Sequence, residues 1–346
     1  MPPISLYMKH LFIINPRSFW NKAKQNNVVA GIHHFFKEID SKDYEIHVSR
    51  FPRDAVGFIP LYARSLSNET VLRVYAVGGD GILFDCLNGI MGLANAELAS
   101  IPYGHTNNFI RGFDNKALFR GIFRQYNATT VPLDVMRCGN NYALNYCVIG
   151  IEAETVRLAK KIRERLDADS ALYQWLCRRL YSLFFFMGGL AAGGKKDMLY
   201  QQYAVTIDEE SFAGVYQGFS IFNGSYYGGN MRPVSSAVPN DGILDTLSIR
   251  SSGILQTSFL YPFYISGRYA MFPQHFVFKR GRKISIRSEN MLVISMDGEV
   301  FFETELEVEV LPAAVRFVDA GRYDAGRYDA GRYDAGRNEY RGNGND

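Results

Sequence analysis

Gly78-Gly79-Asp80-Gly81 closes an apolar run, Val74 to Val77, and opens a helix-like pattern over Leu83–Ile90. Glycines let a ligand approach backbone N–H groups, and a helix start presents partial positive charge. Together they make an anion site. An aspartate at such a site repels phosphate. Its sensible partner is a divalent cation carried by the phosphates, or a donor hydroxyl. The loop therefore suits a metal–nucleotide complex. The same four residues also suit a tight strand–helix turn capped by Asp80, and alone they leave both readings open. The GxxxxGK[ST] phosphate loop does not occur in the chain.

The elements around this loop alternate. Leu11–Ile14 is a short apolar run ended by Asn15-Pro16. Val28–Ile39 has helical spacing, Tyr44–Ser49 alternates like a strand, and Asp54–Leu66 is helical again. Val71–Val77 and Glu97–Pro102 read as further strands. Such alternation predicts a mainly parallel sheet covered by helices, with ligands beyond the carboxyl ends of its strands. Three loops fall at those ends: Asn15-Pro16-Arg17, Gly78–Gly81 and Gly104–Asn108. From about Val131 short strands dominate, separated by turns such as Gly139-Asn140-Asn141 and Asp297-Gly298. That pattern predicts an antiparallel β-sandwich. A helical insertion over about 155–190 interrupts it. From Asp319 the unit DAGRY repeats, and a polar period of five residues predicts a disordered tail over 319–346.

The chain has 346 residues, of which 47% are hydrophobic, enough to bury two cores. Its formal charge of +3 gives no argument for nucleic acid. Four cysteines form no CxxC pair and lie in apolar settings, which reads as reduced thiols of a cytoplasmic protein. No histidine spacing suggests a metal site. Leu180–Gly194 is the most apolar stretch, but it falls short of the roughly 20 residues that span a bilayer. Within it, Leu180–Leu190 reads first as a buried helix. The alternative is a lip resting on a bilayer.

Five stretches, in order, resemble the diacylglycerol kinase catalytic-domain family, bacterial-type lipid kinases related to sphingosine and ceramide kinases and more distantly to NAD kinase. They are Asn15-Pro16; Gly78-Gly79-Asp80-Gly81; Ile101-Pro102-Tyr103-Gly104-His105-Thr106-Asn107-Asn108-Phe109; Tyr227-Gly228-Gly229-Asn230-Met231 with Pro239-Asn240-Asp241-Gly242-Ile243-Leu244-Asp245; and Asp297-Gly298-Glu299. The resemblance covers about residues 9–317. It implies an α/β nucleotide domain over 1–130, NAD-kinase-like, and an antiparallel β-sandwich over 131–311. The active site would lie in the cleft between them, and a segment over 312–318 would return to the first domain.

The resemblance also assigns roles. Glu299 would be the base that takes the proton from a lipid hydroxyl, as a carboxylate in reach can do. The plain alternative is a turn acid after the hairpin Asp297-Gly298. Asp80 would organise Mg²⁺ on ATP, and Asp134 would support the metal's water network or merely enter a strand. Nucleotide contacts would come from Asn15, Pro16, Arg17, Gly78, Gly79, Gly81, Ile82, His105, Thr106, Asn107 and Asn108. Asp241, with the carbonyls of Val238 and Ile243, would hold a structural Mg²⁺ or form an Asx-turn. Three positions depart from the family's pattern: Ile82 and His105 stand where it has Thr, and Asn108 where it has Asp. The implied activity is ATP-dependent phosphorylation of a lipid hydroxyl, with diacylglycerol as default. The alternative is a weakened or inactive nucleotide-binding protein. The implied partner is a lipid at the inner membrane face, met by peripheral contact. Nucleic acid is not expected, and a homodimer stays open.

Overall fold

The computed structural model of the protein describes residues 7–18, 22–104, 106–165 and 201–323. Strands β1 (Met8–Ile14), β2 (Tyr44–Val48), β3 (Val71–Gly78) and β4 (Ala96–Pro102) lie in the order β2-β1-β3-β4, and each neighbouring pair is parallel. Every residue of β3 and β4 is buried. A strand covered on both faces reads as an apolar run without alternation, which explains the run that leads into Gly78. The covering helices are α1 (Lys22–Glu38), α2 (Asp54–Arg64) and α3 (Asp80–Ile90). One face packs Ile59, Leu83 and Leu87, and the other packs Ile32, Phe36 and Tyr75.

The second part is antiparallel. Its strands are β5 (Ala128–Cys138), β6 (Asn141–Ala143), β7 (Tyr146–Gly150), β8 (Gln201–Ile207), β9 (Glu210–Phe222), β10 (Leu244–Arg250), β11 (Phe276–Gly281), β12 (Lys283–Met296) and β13 (Glu299–Tyr323). Neighbours pair in the order β11-β10-β9-β7-β12-β13, while β8 pairs with both β12 and β9. Three helices accompany them: α4 (Ile122–Asn127), α5 (Ile151–Arg165) and α6 (Ile254–Ile265).

β13 joins the two parts. Glu299–Glu309 pairs with β12, while Val308–Tyr323 runs antiparallel to β5. Phe317 also pairs with Leu98 of β4 in parallel. The register shifts between Leu311 and Val315, at Pro312-Ala313. Proline has no N–H for the ladder, and Ala313 has φ 51°. Fully buried Phe317 then packs its ring against Phe109, Phe113 and Phe119 of the first part.

Two expected boundaries move. The chain is still strand from Asp319 to Tyr323, with Ala320 fully buried and Tyr323 paired to Ala128. Pairing to β5 uses backbone groups, so the polar DAGRY composition does not prevent it. The helix expected from Thr155 starts at Ile151, directly after Gly150, whose φ of 81° suits only glycine well. Leu180–Leu190 and residues 324–346 lie outside the described residues. Among the described residues, no helix is long and apolar enough to cross a membrane.

Phe317→Ala removes a fully buried ring that links the last strand to the first part. It is expected to lower the unfolding free energy by about 3–5 kcal/mol, read from urea denaturation. A change near zero would show that this strand end is not part of the core.

Candidate active site

Three loops meet at the carboxyl ends of β1, β3 and β4. Asn15 N donates to Val77 O (3.1 Å), and Tyr103 N and Gly104 N both donate to Gly78 O (2.8 and 3.1 Å). The glycines are sterically required. A Cβ on Gly78 would come within 2.7 Å of Ser18 Oγ, and one on Gly104 would collide with Gly79 Cα. Gly79 begins α3 and no side chain caps it. The first turn of a helix has N–H groups with no partner inside the helix, so an uncapped start suits an anion.

Asp80 neither caps its own helix nor faces outward. Its Oδ2 accepts from Thr106 Oγ1 (2.8 Å), Asn108 N (3.0 Å) and Asn108 Nδ2 (3.2 Å), while Oδ1 meets Phe109 N at 3.5 Å. Burial pushes this carboxyl above its ordinary range, against the pull of those donors. Asn108 is itself buried, and its Oδ1 accepts Gly229 N at 2.6 Å. One amide thus donates to Asp80 and accepts from the Tyr227–Met231 loop of the second part. An aspartate at 108 could not donate, which accounts for asparagine here. Thr106 and Asn108, expected at the nucleotide, hold the loop through these bonds. Asn107 holds it too, as its side chain accepts Gly104 N and donates to Gly104 O.

Glu299 arrives from the other side. Asp297 (φ 48°) and Gly298 (φ 93°) form a two-residue turn between β12 and β13. Two positive φ values mark a type I′ turn, which Asp-Gly favours. Buried Asp297 accepts the backbone N–H groups of Leu144 (2.7 Å), Asn145 (3.1 Å) and Tyr146 (2.9 Å). The turn is therefore pinned, and Glu299 follows it. A Cβ on Gly81 would lie 3.2 Å from Glu299 Oε1, so the carboxylate rests on the first turn of α3. Its Oε2 accepts from Lys160 Nζ of α5 at 2.6 Å.

Sequence reasoning missed three groups at this spot. Lys160 sits in the charged first half of the expected helical insertion. Asp85 stands four residues after Gly81, hence on the same face of α3, and that spacing is the signal that could have found it. Its Oδ2 accepts Arg53 N at 3.1 Å. Burial, then the charge of Glu299, pushes Asp85 up to about 6. Arg53 also donates to Asn141 Oδ1 (2.9 Å) and lies over the Phe84 and Phe301 rings.

Beside the loops lies a cleft of about 390 Å³, lined by Tyr103, Gly104, Thr106 and Asn107 and by the cations Lys24, Arg111, Lys116 and Arg120. No acid lines it. Arg17 is exposed at the end of β1, where its N donates to Asn15 Oδ1 at 3.0 Å. Pro16 opens a short 3-10 turn there. Ile82 is 2% exposed and packs into the core below Gly78, so its side chain does not reach the cleft. His105 lies outside the described residues.

The remaining acids do not assemble with Asp80. Asp134 is buried. Its Oδ2 accepts Gly242 N (2.7 Å) and its Oδ1 accepts Ala313 N (2.8 Å), fastening the 239–242 loop and the break in β13. It borders a separate cavity of about 580 Å³ with Tyr226 and Asn240. Asp241 accepts Ile243 N (3.2 Å) and Arg280 Nη2 (2.6 Å), and Arg280 Nε also meets Asp245 (2.9 Å). The arrangement is an Asx-turn neutralised by a guanidinium, so these residues do not fit a bound cation. Among the described residues, no group of three or more His, Cys, Asp or Glu could hold a metal.

Comparison with known proteins adds family evidence. Residues 9–138 match the model of the diacylglycerol kinase catalytic domain. Residues 193–319 match that of the YegS C-terminal NAD kinase beta sandwich-like domain. A Staphylococcus aureus protein named "Putative lipid kinase" is 22% identical over 278 residues, 79% of this chain and 86% of its own. A Staphylococcus epidermidis protein with the name "Putative lipid kinase SERP0390" is 23% identical over 280 residues, 79% and 86% of the two chains. A crystal structure described as a diacylglycerol kinase from Bacillus anthracis str. Sterne superposes with TM-score 0.60 at 19% identity, covering 92% of this chain and 97% of that one. Another from the same strain, "a putative diacylglycerol kinase", gives 0.66 at 21%, covering 93% and 99%. At these identities the structures show a shared fold, two domains with a β-sandwich-like second one.

Asn108→Asp sets a second carboxylate against Asp80 and removes its amide donor. Stability is expected to fall by about 1–3 kcal/mol at neutral pH. The carboxylate pair holds its shared proton more tightly when folded than when unfolded. The deficit therefore shrinks in acid and grows as pH rises. Thermal unfolding at pH 5 and pH 8 checks this, and an equal deficit at both would contradict the clasp.

Proposed function

Because this chain belongs to the diacylglycerol kinase catalytic-domain family, we propose that it transfers the terminal phosphoryl group of ATP to a lipid hydroxyl, with diacylglycerol as the default acceptor. The observation that carries this reading is Glu299 Oε1 against Gly81. A carboxylate from one domain rests on the phosphate-type loop of the other, where acceptor and nucleotide would meet.

The chain's groups then divide the work. The uncapped start of α3 and the cations Lys24, Arg111, Lys116 and Arg120 suit a polyphosphate. Arg17 adds charge at the end of β1. Glu299 takes the hydroxyl proton as the acceptor oxygen attacks the terminal phosphorus, and ADP leaves. Lys160 occupies Oε2 and so directs Oε1 toward the glycine loop. Asp80, Thr106 and Asn108 are positioning residues that fix the 104–109 loop. Asp134 and Asp297 hold backbone at the domain junction. The carboxylates assigned to Mg²⁺ already accept N–H, O–H and guanidinium donors, so the ion would be held chiefly by the nucleotide's phosphates, where it would neutralise charge on the transferring group. The acceptor is reached at a membrane surface, by peripheral contact at the inner face.

A second reading has one observation in its favour: Asp80 is fully engaged within the loop. In that case the protein binds nucleotide with weak or no turnover. Radiolabelled ATP incubated with a total lipid extract separates the two readings, because only the kinase yields labelled lipid.

Glu299→Gln keeps the shape and removes the base. Phosphoryl transfer is expected to fall by about 10²–10⁴-fold, while ATP affinity in a direct titration stays within about twofold, since Glu299 faces the acceptor side. Near-native turnover would rule out this base.

A further inference from the structure

Helix α6 (ILQTSFLYPFYI) is apolar on every side, yet only part of it is covered. Leu260 and Tyr264 are buried against the second part's core, whereas Leu255 is 85% and Phe259 59% exposed. Leu255 and Phe259 stand four residues apart, so they share a face, and Phe263 continues it. The Phe259, Phe263 and Phe272 rings touch one another, with centroids 4.7–5.8 Å apart. Met271, 62% exposed, adjoins them. An apolar face of this extent on a helix end calls for a partner.

The charge around it names the kind of partner. Between Asp245 and Glu289 the chain carries seven Lys and Arg and no acid. Lys279, Arg280, Lys283 and Arg287 are spent on ion pairs with acids elsewhere. Arg250, just before α6, and Arg268, just after it, are exposed and make no ion pair among the described residues. A face with apolar residues between unpaired arginines suits an anionic lipid surface, where the rings enter the headgroup boundary and the guanidinium groups meet phosphate. A twofold contact with a second copy would set charge of one sign against itself.

We propose that the outer face of α6, centred on Leu255 and Phe259 and flanked by Arg250 and Arg268, docks this protein on an anionic bilayer. The proposal rests on the lipid-kinase reading for its purpose, but vesicle binding tests it without nucleotide or turnover. The probe is phosphatidylcholine vesicles with or without phosphatidylglycerol, followed by co-sedimentation. Native protein is expected to bind the phosphatidylglycerol vesicles, more weakly as salt rises. Leu255→Glu with Phe259→Glu should lower that binding at least about tenfold. Arg250→Gln with Arg268→Gln should lower it about tenfold or more at low salt. All variants should phosphorylate a dispersed short-chain acceptor like the native protein. Loss of that activity in the native protein too would sink the kinase reading and leave the docking result standing. Circular dichroism checks folding, and if the glutamate variant unfolds, the arginine variant decides. Unchanged vesicle binding in a folded variant, or no binding by the native protein, overturns the proposal. So does a native dimer that the glutamate pair converts to a monomer, which would make a second copy the occupant.

Discussion

The site depends on a carboxylate turned inward onto its neighbouring loop. Asp80 gathers Thr106, Asn108 and Phe109 onto the start of α3, and Asn108 passes the connection to Gly229 in the second domain. A carboxylate can take about four hydrogen bonds, and charge-assisted bonds are stronger than neutral ones. One side chain therefore fixes the loop after β4, the loop after β3 and the approach of the two domains. It acts beside the backbone bonds from Tyr103 N and Gly104 N to Gly78 O, which already join the two turns.

The same device recurs at the domain junction. Asp297 collects three consecutive N–H groups, and Asp134 collects one from the 239–242 loop and one from the break in β13. Each is buried, and a buried carboxylate is tolerated only when donors surround it. These acids hold β-turns and strand breaks in register, and the consequence is local. The pinned Asp297-Gly298 turn delivers Glu299 to Gly81. The pinned break lets β13 leave the antiparallel part and pass between β5 and β4.

Some of this was legible in the residues. β1, β3 and β4 showed as apolar runs because both of their faces are covered. The loops at Asn15, Gly78 and Gly104 followed from where those runs end. β13 was read as a strand only over Glu305–Leu311, yet it spans Glu299–Tyr323. Its last residues, the first DAGRY unit, carry no strand signal, and Tyr323 pairs with Ala128 of β5 after a register shift. Lys160 lies in the expected helical insertion and Asp85 in the expected helix after Gly81, and neither was assigned a role. Asp241 was given a cation, but Arg280 fills that need from a strand remote in sequence.

What the sequence determined by itself is steric and local. Gly78 and Gly104 have to be glycine because another backbone or side chain lies where a Cβ would be. Asp297-Gly298 turns because Asp-Gly tolerates the positive φ that a type I′ turn needs at both residues. The tertiary structure decided the chemistry of each acid. Asp80, Asp134, Asp297 and Glu299 are similar carboxylates in similar polar motifs. Three of them meet N–H donors folded in from elsewhere, and one meets a lysine and an open glycine. A carboxylate's role is set by the donors around it, and those donors come from distant segments that only the fold brings within hydrogen-bonding distance.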